Sequence, residues 1–336
     1  MSNIQTNYSS LDSKSSGRIV AFYALALGLS WAGWIPYGAA EAGLLRLHLP
    51  VEIPFIAQFG PSVAAIILIG FTGGRKHIIQ FLVRSCRWKI GFRFYSIALL
   101  LPPAIGTFWI LIHSIFGHKV PGLSDLQVLI PRFVESMMTQ GVYSLDKSVQ
   151  YSFGPMKFAS QLAAGSPVWA VLIFVFFITV GGPVSEEFGW RGYMLPRLQS
   201  RYYGLKAAVV LGLLWGGWHT LPGFWCLLLQ GNLKGFAIPI AITTGTVPLS
   251  IMFSWLYNRT DGSILPAMIF HGSFNATLII LTLLWASRSA IAIGAEMVIW
   301  LWIMAGVVVF VSGFSLNNKS PIMKIESVQG EKTQVF

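Results

Sequence analysis

Apolar residues along this chain come in long unbroken runs rather than at a helical or alternating period. Eight runs stand out, at 19–40, 54–72, 94–116, 167–188, 207–229, 236–255, 264–285 and 290–314. Each is near the roughly 20 residues that carry a helix across about 30 Å of hydrocarbon. A helix on the surface of a soluble core keeps a polar face, and these runs have none. Without water, backbone groups must be satisfied inside each segment, which selects helices. The pattern predicts an all-α integral protein of a cell membrane, a bundle of about eight transmembrane helices.

Polar stretches set the organisation. Residues 1–17 are Ser-rich and predict a disordered cytoplasmic tail, as do residues 317–336. Ala40, Glu41 and Ala42 resemble a signal cleavage site, but the preceding run exceeds the usual 7–15 residues and follows a polar tail. A retained first helix is expected. Residues 18–165 read as an N-terminal membrane region of three helices plus a long external connection. That connection, 118–165, carries Pro121, Pro131 and Pro155 in a mixed pattern suited to short interfacial helices. Residues 166–286 hold most of the ionisable groups at membrane depth, and 287–316 read as a last transmembrane helix.

Composition agrees, with 54% hydrophobic and only 10% charged residues against about 25% charged in ordinary soluble domains. Mean hydropathy is +0.66. The net charge of +11 raises nucleic acid as a partner, and its distribution argues against one. With the N terminus placed in the cytosol, 16 of the 23 Lys and Arg fall on the cytoplasmic side and 7 on the other. That asymmetry predicts cytoplasmic N and C termini. The cluster Arg75, Lys76, Arg84, Arg87, Lys89 and Arg93 interleaves with Phe81, Trp88 and Phe92. Such a mixture suits the surface of an anionic inner leaflet. Cys86 and Cys226 fit no disulfide or metal pattern, and Cys226 reads as a small hydrophobe.

Charges at membrane depth are expensive and usually mark function. The set here is Glu186, Glu187, Arg191, His219, His271 and Glu296, with His113 as an outlier. Arg191 follows Glu187 by four residues, so the two can pair on one helix face. Glu186 is then turned by about 100° and free to face another helix. One acid reads as structural and the other as chemical. His219 lies mid-run beside Trp215, Trp218 and Pro222. His271 and Asn275, four apart, aim at one place. A lone histidine in an apolar helix is usually a hydrogen-bonded core residue, but two histidines, a carboxylate and an Asn on separate helices suggest a site. For His113 the plain reading is a helix end at the interface. For Glu296 it is the same, or a pair with Arg288.

These residues resemble a known family. The stretch from Ser185 to Gln199, reading SEEFGWRGYMLPRLQ, is similar to the EExxxR motif of the CPBP intramembrane proteases, the family of CAAX prenyl protease 2. A second motif, FxxxH in the family, is present as Trp215 through His219, with Trp in place of Phe. The third, HxxxN, is His271 through Asn275. The substitution keeps an aromatic pocket wall but enlarges it and adds an N–H that needs a partner. The resemblance implies an intramembrane endopeptidase with residues 166–286 as its catalytic core. Glu186 and His219 would activate water, His271 and Asn275 would stabilise the oxyanion, and Glu187 and Arg191 would hold their helix in place. The family is often called a metalloprotease family, and Glu186, His219 and His271 together suit a divalent metal such as zinc. No HExxH is present, and Asn is a poor zinc ligand.

The implied substrate is a membrane-associated protein or peptide, with a prenylated CaaX tail as one candidate. Two other classes compete. Members resembling this family are linked to bacteriocin self-protection, so a catalytically silent immunity or maturation factor is one alternative. A secondary transporter is the other, and the absence of an internal repeat weighs against it. Helical rise supplies a further expectation. Counted from Arg197, Lys206 and Asp261, residues Glu187, His219, His271 and Asn275 all lie about 15–20 Å from one face. The three motifs should therefore meet at one depth.

Overall fold

Every apolar run folds as helix, with ends that shift where Gly, Pro and packing dictate. The structure is a computed structural model and describes residues 2–41, 43–50, 52–117, 128, 167–229, 237–284 and 290–317. The elements in order are α1 (Ser2–Glu41), α2 (Ile53–Ala57), α3 (Gly60–Ser85) and α4 (Phe92–Ile115). After these come α5 (Pro167–Phe176), α6 (Gly182–Glu187), α7 (Leu195–Gln199), α8 (Gly204–Leu229) and α9 (Ala237–Arg259). The last two are α10 (Leu265–Leu284) and α11 (Ala290–Ser312). No strand occurs among the described residues. Five of the described helices are long and apolar enough to cross a membrane: Ser16–Ala40, Gly60–Ser85, Phe92–Ile115, Leu265–Thr282 and Ile293–Ser312. The chain is an all-α, multi-pass membrane protein.

Several sequence expectations move. The polar stretch 1–17, read as disordered, belongs to α1, which starts at Ser2. Extending an existing helix fixes one residue per hydrogen bond gained, so a tail without proline can follow a helix that tertiary packing already holds. The second run splits into α2 and α3, and the long helix starts at Gly60 and ends at Ser85, later than expected. Pro54 and Pro61 each sit at the first turn of a helix, where the missing N–H costs nothing. Arg75, Lys76 and Arg84 therefore ride on α3, while Arg87 and Lys89 follow its end and Arg93 lies in the first turn of α4. Helix α3 breaks at Gly74, whose φ of 63° is open to glycine. The expected helices of 118–165, the C-terminal tail and the Cys226 side chain lie outside the described residues.

Packing follows from small residues and tryptophans. Helix α1 packs on α3 and α8, α8 on α9, α9 on α11, and α4 on α10. Trp109, Trp190, Trp215 and Trp218 are fully or almost fully buried. Hydrogen bonds tie the amino-terminal helices to the site region. Tyr23 donates to the Leu214 carbonyl at 3.0 Å, Ser62 to that of Val184 at 3.0 Å, and the Trp218 indole to Ser30 at 2.8 Å. Outward, Phe71, Ile115, Phe310 and Val311 stand exposed, as a lipid-facing belt requires.

Candidate active site

The helix expected over 167–188 is not one regular cylinder. It runs from α5 through a π-helical turn (Phe177–Gly181) into α6, then through a second π turn (Phe188–Met194) into α7. Pro183 explains part of the first irregularity, since it has no N–H to return to the Thr179 carbonyl. That carbonyl instead presses on α10, where a β-carbon added at Gly272 would lie 2.3 Å from it. The second π turn packs equally close to α3, with Pro61 backbone 2.5 Å from a β-carbon built at Gly189. π turns often accompany functional sites, and here two of them flank the adjacent acids Glu186 and Glu187.

The two acids face different partners. Glu187, fully buried, accepts from Arg191 Nη1 at 3.0 Å on Oε1. The same oxygen lies 2.9 Å from Nδ1 of His271 on α10. A carboxylate only accepts, so Nδ1 carries the hydrogen of that bond. Arg191 is fully buried too, and its Nε and Nη2 have no hydrogen-bond partner among the described residues. Aromatic faces meet its charge instead, with Arg191 Cζ 4.3 Å from the Trp215 ring centre and 4.6 Å from that of Phe253. Such cation–π contacts reach about 2 kcal/mol when desolvated.

Glu186 points to α8. Its Oε2 accepts from the Trp215 indole at 2.6 Å and lies 3.5 Å from Nε2 of His219. Glu186 is buried, whereas His219 is partly exposed. His219 packs edge-on against Trp218, and His271 edge-on against Trp215. Asn275 lies one turn beyond His271 and faces α6, its Nδ2 3.8 Å from a β-carbon built at Gly182. The structure thus brings Glu186, Glu187, Arg191, Trp215, His219, His271 and Asn275 into one cluster across α6, the second π turn, α8 and α10.

Comparison with known proteins bears on the same stretch. Residues 167–277 match the family model described as type II CAAX prenyl endopeptidase Rce1-like. These residues form an Rce1-like domain. CAAX prenyl protease 2 of Methanococcus maripaludis is 26% identical over 166 residues, which is 49% of this chain and 59% of that protein. The alignment therefore spans about three-fifths of that relative's length.

All seven clustered side chains fall inside the Rce1-like domain, while the bracing helices α1, α3 and α4 lie outside it. The donors that suited zinc do not converge. His271 turns Nδ1 to Glu187, while Glu186 and His219 meet each other. Among the described residues no three His, Cys, Asp or Glu are grouped to share an ion.

Beyond the domain's cluster, Glu296 and His113 meet each other, a contact that the sequence reading did not include. Glu296 Oε2 lies 3.1 Å from His113 Nε2 and accepts from the Trp109 indole at 2.8 Å. It joins α11 to α4. Arg288, its anticipated partner, is outside the described residues. Partial burial favours a partner on a neighbouring helix over the interface. Phe253, the second face on Arg191, carried no signal, being one more aromatic in an apolar run.

Proposed function

We propose that this protein is an intramembrane endopeptidase of the CAAX type, cutting a membrane-associated protein or peptide near its lipid-anchored or membrane-embedded end. A prenylated CaaX tail is a natural candidate substrate. The observation that carries the reading is the division between adjacent acids. Glu187 is fully buried and takes both Arg191 and His271 on Oε1, while Glu186 meets a partly exposed histidine across the helix interface.

The chemistry follows from these positions. Both contacts of Glu186 fall on Oε2, leaving Oε1 to take a proton from water, with His219 beside it. The resulting hydroxide adds to the scissile carbonyl carbon, and the carbonyl oxygen becomes an oxyanion. Asn275 Nδ2 and the ring of His271 supply donors for that charge. A donor role for His271 Nε2 requires the doubly protonated ring, with Glu187 as counter-charge. Collapse breaks the C–N bond, and the proton held by Glu186 passes to the leaving nitrogen. The products are a carboxylate and a free amine.

The proposed orientation keeps both termini cytoplasmic. Arg75, Lys76, Arg84, Arg87, Lys89 and Arg93 are exposed next to exposed Trp88 and Phe92, which supports contact with an anionic inner leaflet. The decisive experiment is quantitative membrane proteomics of cells carrying wild type or Glu186→Gln. A precursor that accumulates uncut only in the variant supports the protease. Identical peptide profiles favour a silent membrane factor.

A further inference from the structure

The tryptophan that replaces the family's phenylalanine places an N–H against the one acid that the proposed chemistry uses. We infer that Trp215 is a positioning residue for Glu186, its indole N–H holding the carboxylate in the orientation that receives the proton from water. The inference rests on the reading of Glu186 as the base.

Four observations support it. The N–H to Oε2 distance is 2.6 Å, at the short end for a bond to an ionised acceptor, and both residues are buried. His219 approaches the same oxygen only to 3.5 Å, so Trp215 makes the direct hydrogen bond. The indole is itself fixed, since Arg191 lies over its face at 4.3 Å and His271 meets it edge-on at 5.5 Å. Trp215 therefore ties the two acids together: its face holds the partner of Glu187, and its edge holds Glu186. A phenylalanine here retains the face and loses the edge.

A plain alternative is that a buried indole merely satisfies its N–H on the nearest acceptor. The two readings differ in what the bond does to turnover. Hydrogen bonds to charged groups carry enough free energy that losing one from a reacting carboxylate should lower kcat by about 10–100-fold.

The test uses the full-length protein in lipid nanodiscs with Trp215→Phe, Glu186→Gln, and 3-benzothienylalanine at position 215. The last is an indole isostere that lacks the N–H and protects the test should the smaller ring disturb folding. In indole-15N spectra, the resonance lost in Trp215→Phe should lie downfield in wild type and move upfield in Glu186→Gln. On a quenched farnesylated CaaX peptide, both position-215 variants should lose kcat by about 10–100-fold with KM and thermal midpoint near wild type. Wild-type kcat in the benzothienyl protein, or an indole resonance indifferent to Glu186→Gln, overturns the inference. Full activity in Glu186→Gln overturns the underlying reading instead.

Discussion

His271 and Arg191 share one oxygen. Nδ1 of the histidine lies 2.9 Å and Nη1 of the arginine 3.0 Å from Oε1 of Glu187, in a fully buried setting. The acid assigned to support is thus also the group that orients a histidine of the proposed oxyanion site. Structure and chemistry meet in Glu187.

Arg191→Ala should be among the most destabilising substitutions in the chain. It removes the ion-pair partner of Glu187 and the charge that lies against the Trp215 and Phe253 rings. Breaking a buried pair costs about 3–5 kcal/mol. Thermal unfolding in detergent should show a lowered midpoint and reduced folded yield. Arg191→Lys should rescue only partly, because an ammonium does not stack on ring faces as a planar guanidinium does.

Asn275→Ala should fold normally and lose about 10²–10³ in turnover, the usual cost of removing one oxyanion donor. KM should change little, since the donor acts on charge that develops in the transition state. Steady-state kinetics on a cleavable peptide checks this, and full turnover would remove Asn275 from the proposed site.

Glu296→Ala should lower stability without altering chemistry. It deletes the acceptor that faces Trp109 at 2.8 Å and His113 at 3.1 Å, away from the catalytic cluster. Glu296 is only partly buried, and losing a typical intramolecular hydrogen bond costs about 0.5–1.5 kcal/mol. The outcome should appear as a lower thermal midpoint with kcat unchanged.

Orientation is open to reporter fusions. Those at Lys14, Arg84, Arg201 and Lys324 should report cytoplasmic, and those at Lys147 and Arg288 external, following the asymmetry of Lys and Arg. A cytoplasmic Lys147 would overturn the assumed order of crossings.

Much of the helical architecture was legible because run length and hydrophobicity alone dictate it. The separation of Glu186 from Glu187 was legible too, since adjacent helical positions point about 100° apart. Helix ends were not: Gly60 opens the second long helix packed against α1, and Gly74 breaks it through a positive φ that spacing does not announce. The two π turns were invisible because composition does not distinguish their hydrogen bonding from an α-helix. The partner of His271 was missed for a different reason. Pairing Glu187 with Arg191 seemed complete, and nothing in spacing says that one carboxylate oxygen serves two donors. The contact of Glu296 with His113 on α4 was not foreseen, because nothing in sequence links residues so far apart.

The contact between the Thr179 carbonyl and Gly272 sets an alignment gauge for the site. Gly272 cannot carry a side chain without lifting α10 off its neighbour, so the axial offset of His271 against Glu187 is dictated by a backbone stop. Side chains in the cluster can then vary in size while the two polypeptide tracks keep their phase. A methyl group at Gly272 would act like a shim, detuning the Glu187–His271 spacing while leaving every polar residue of the site in the sequence.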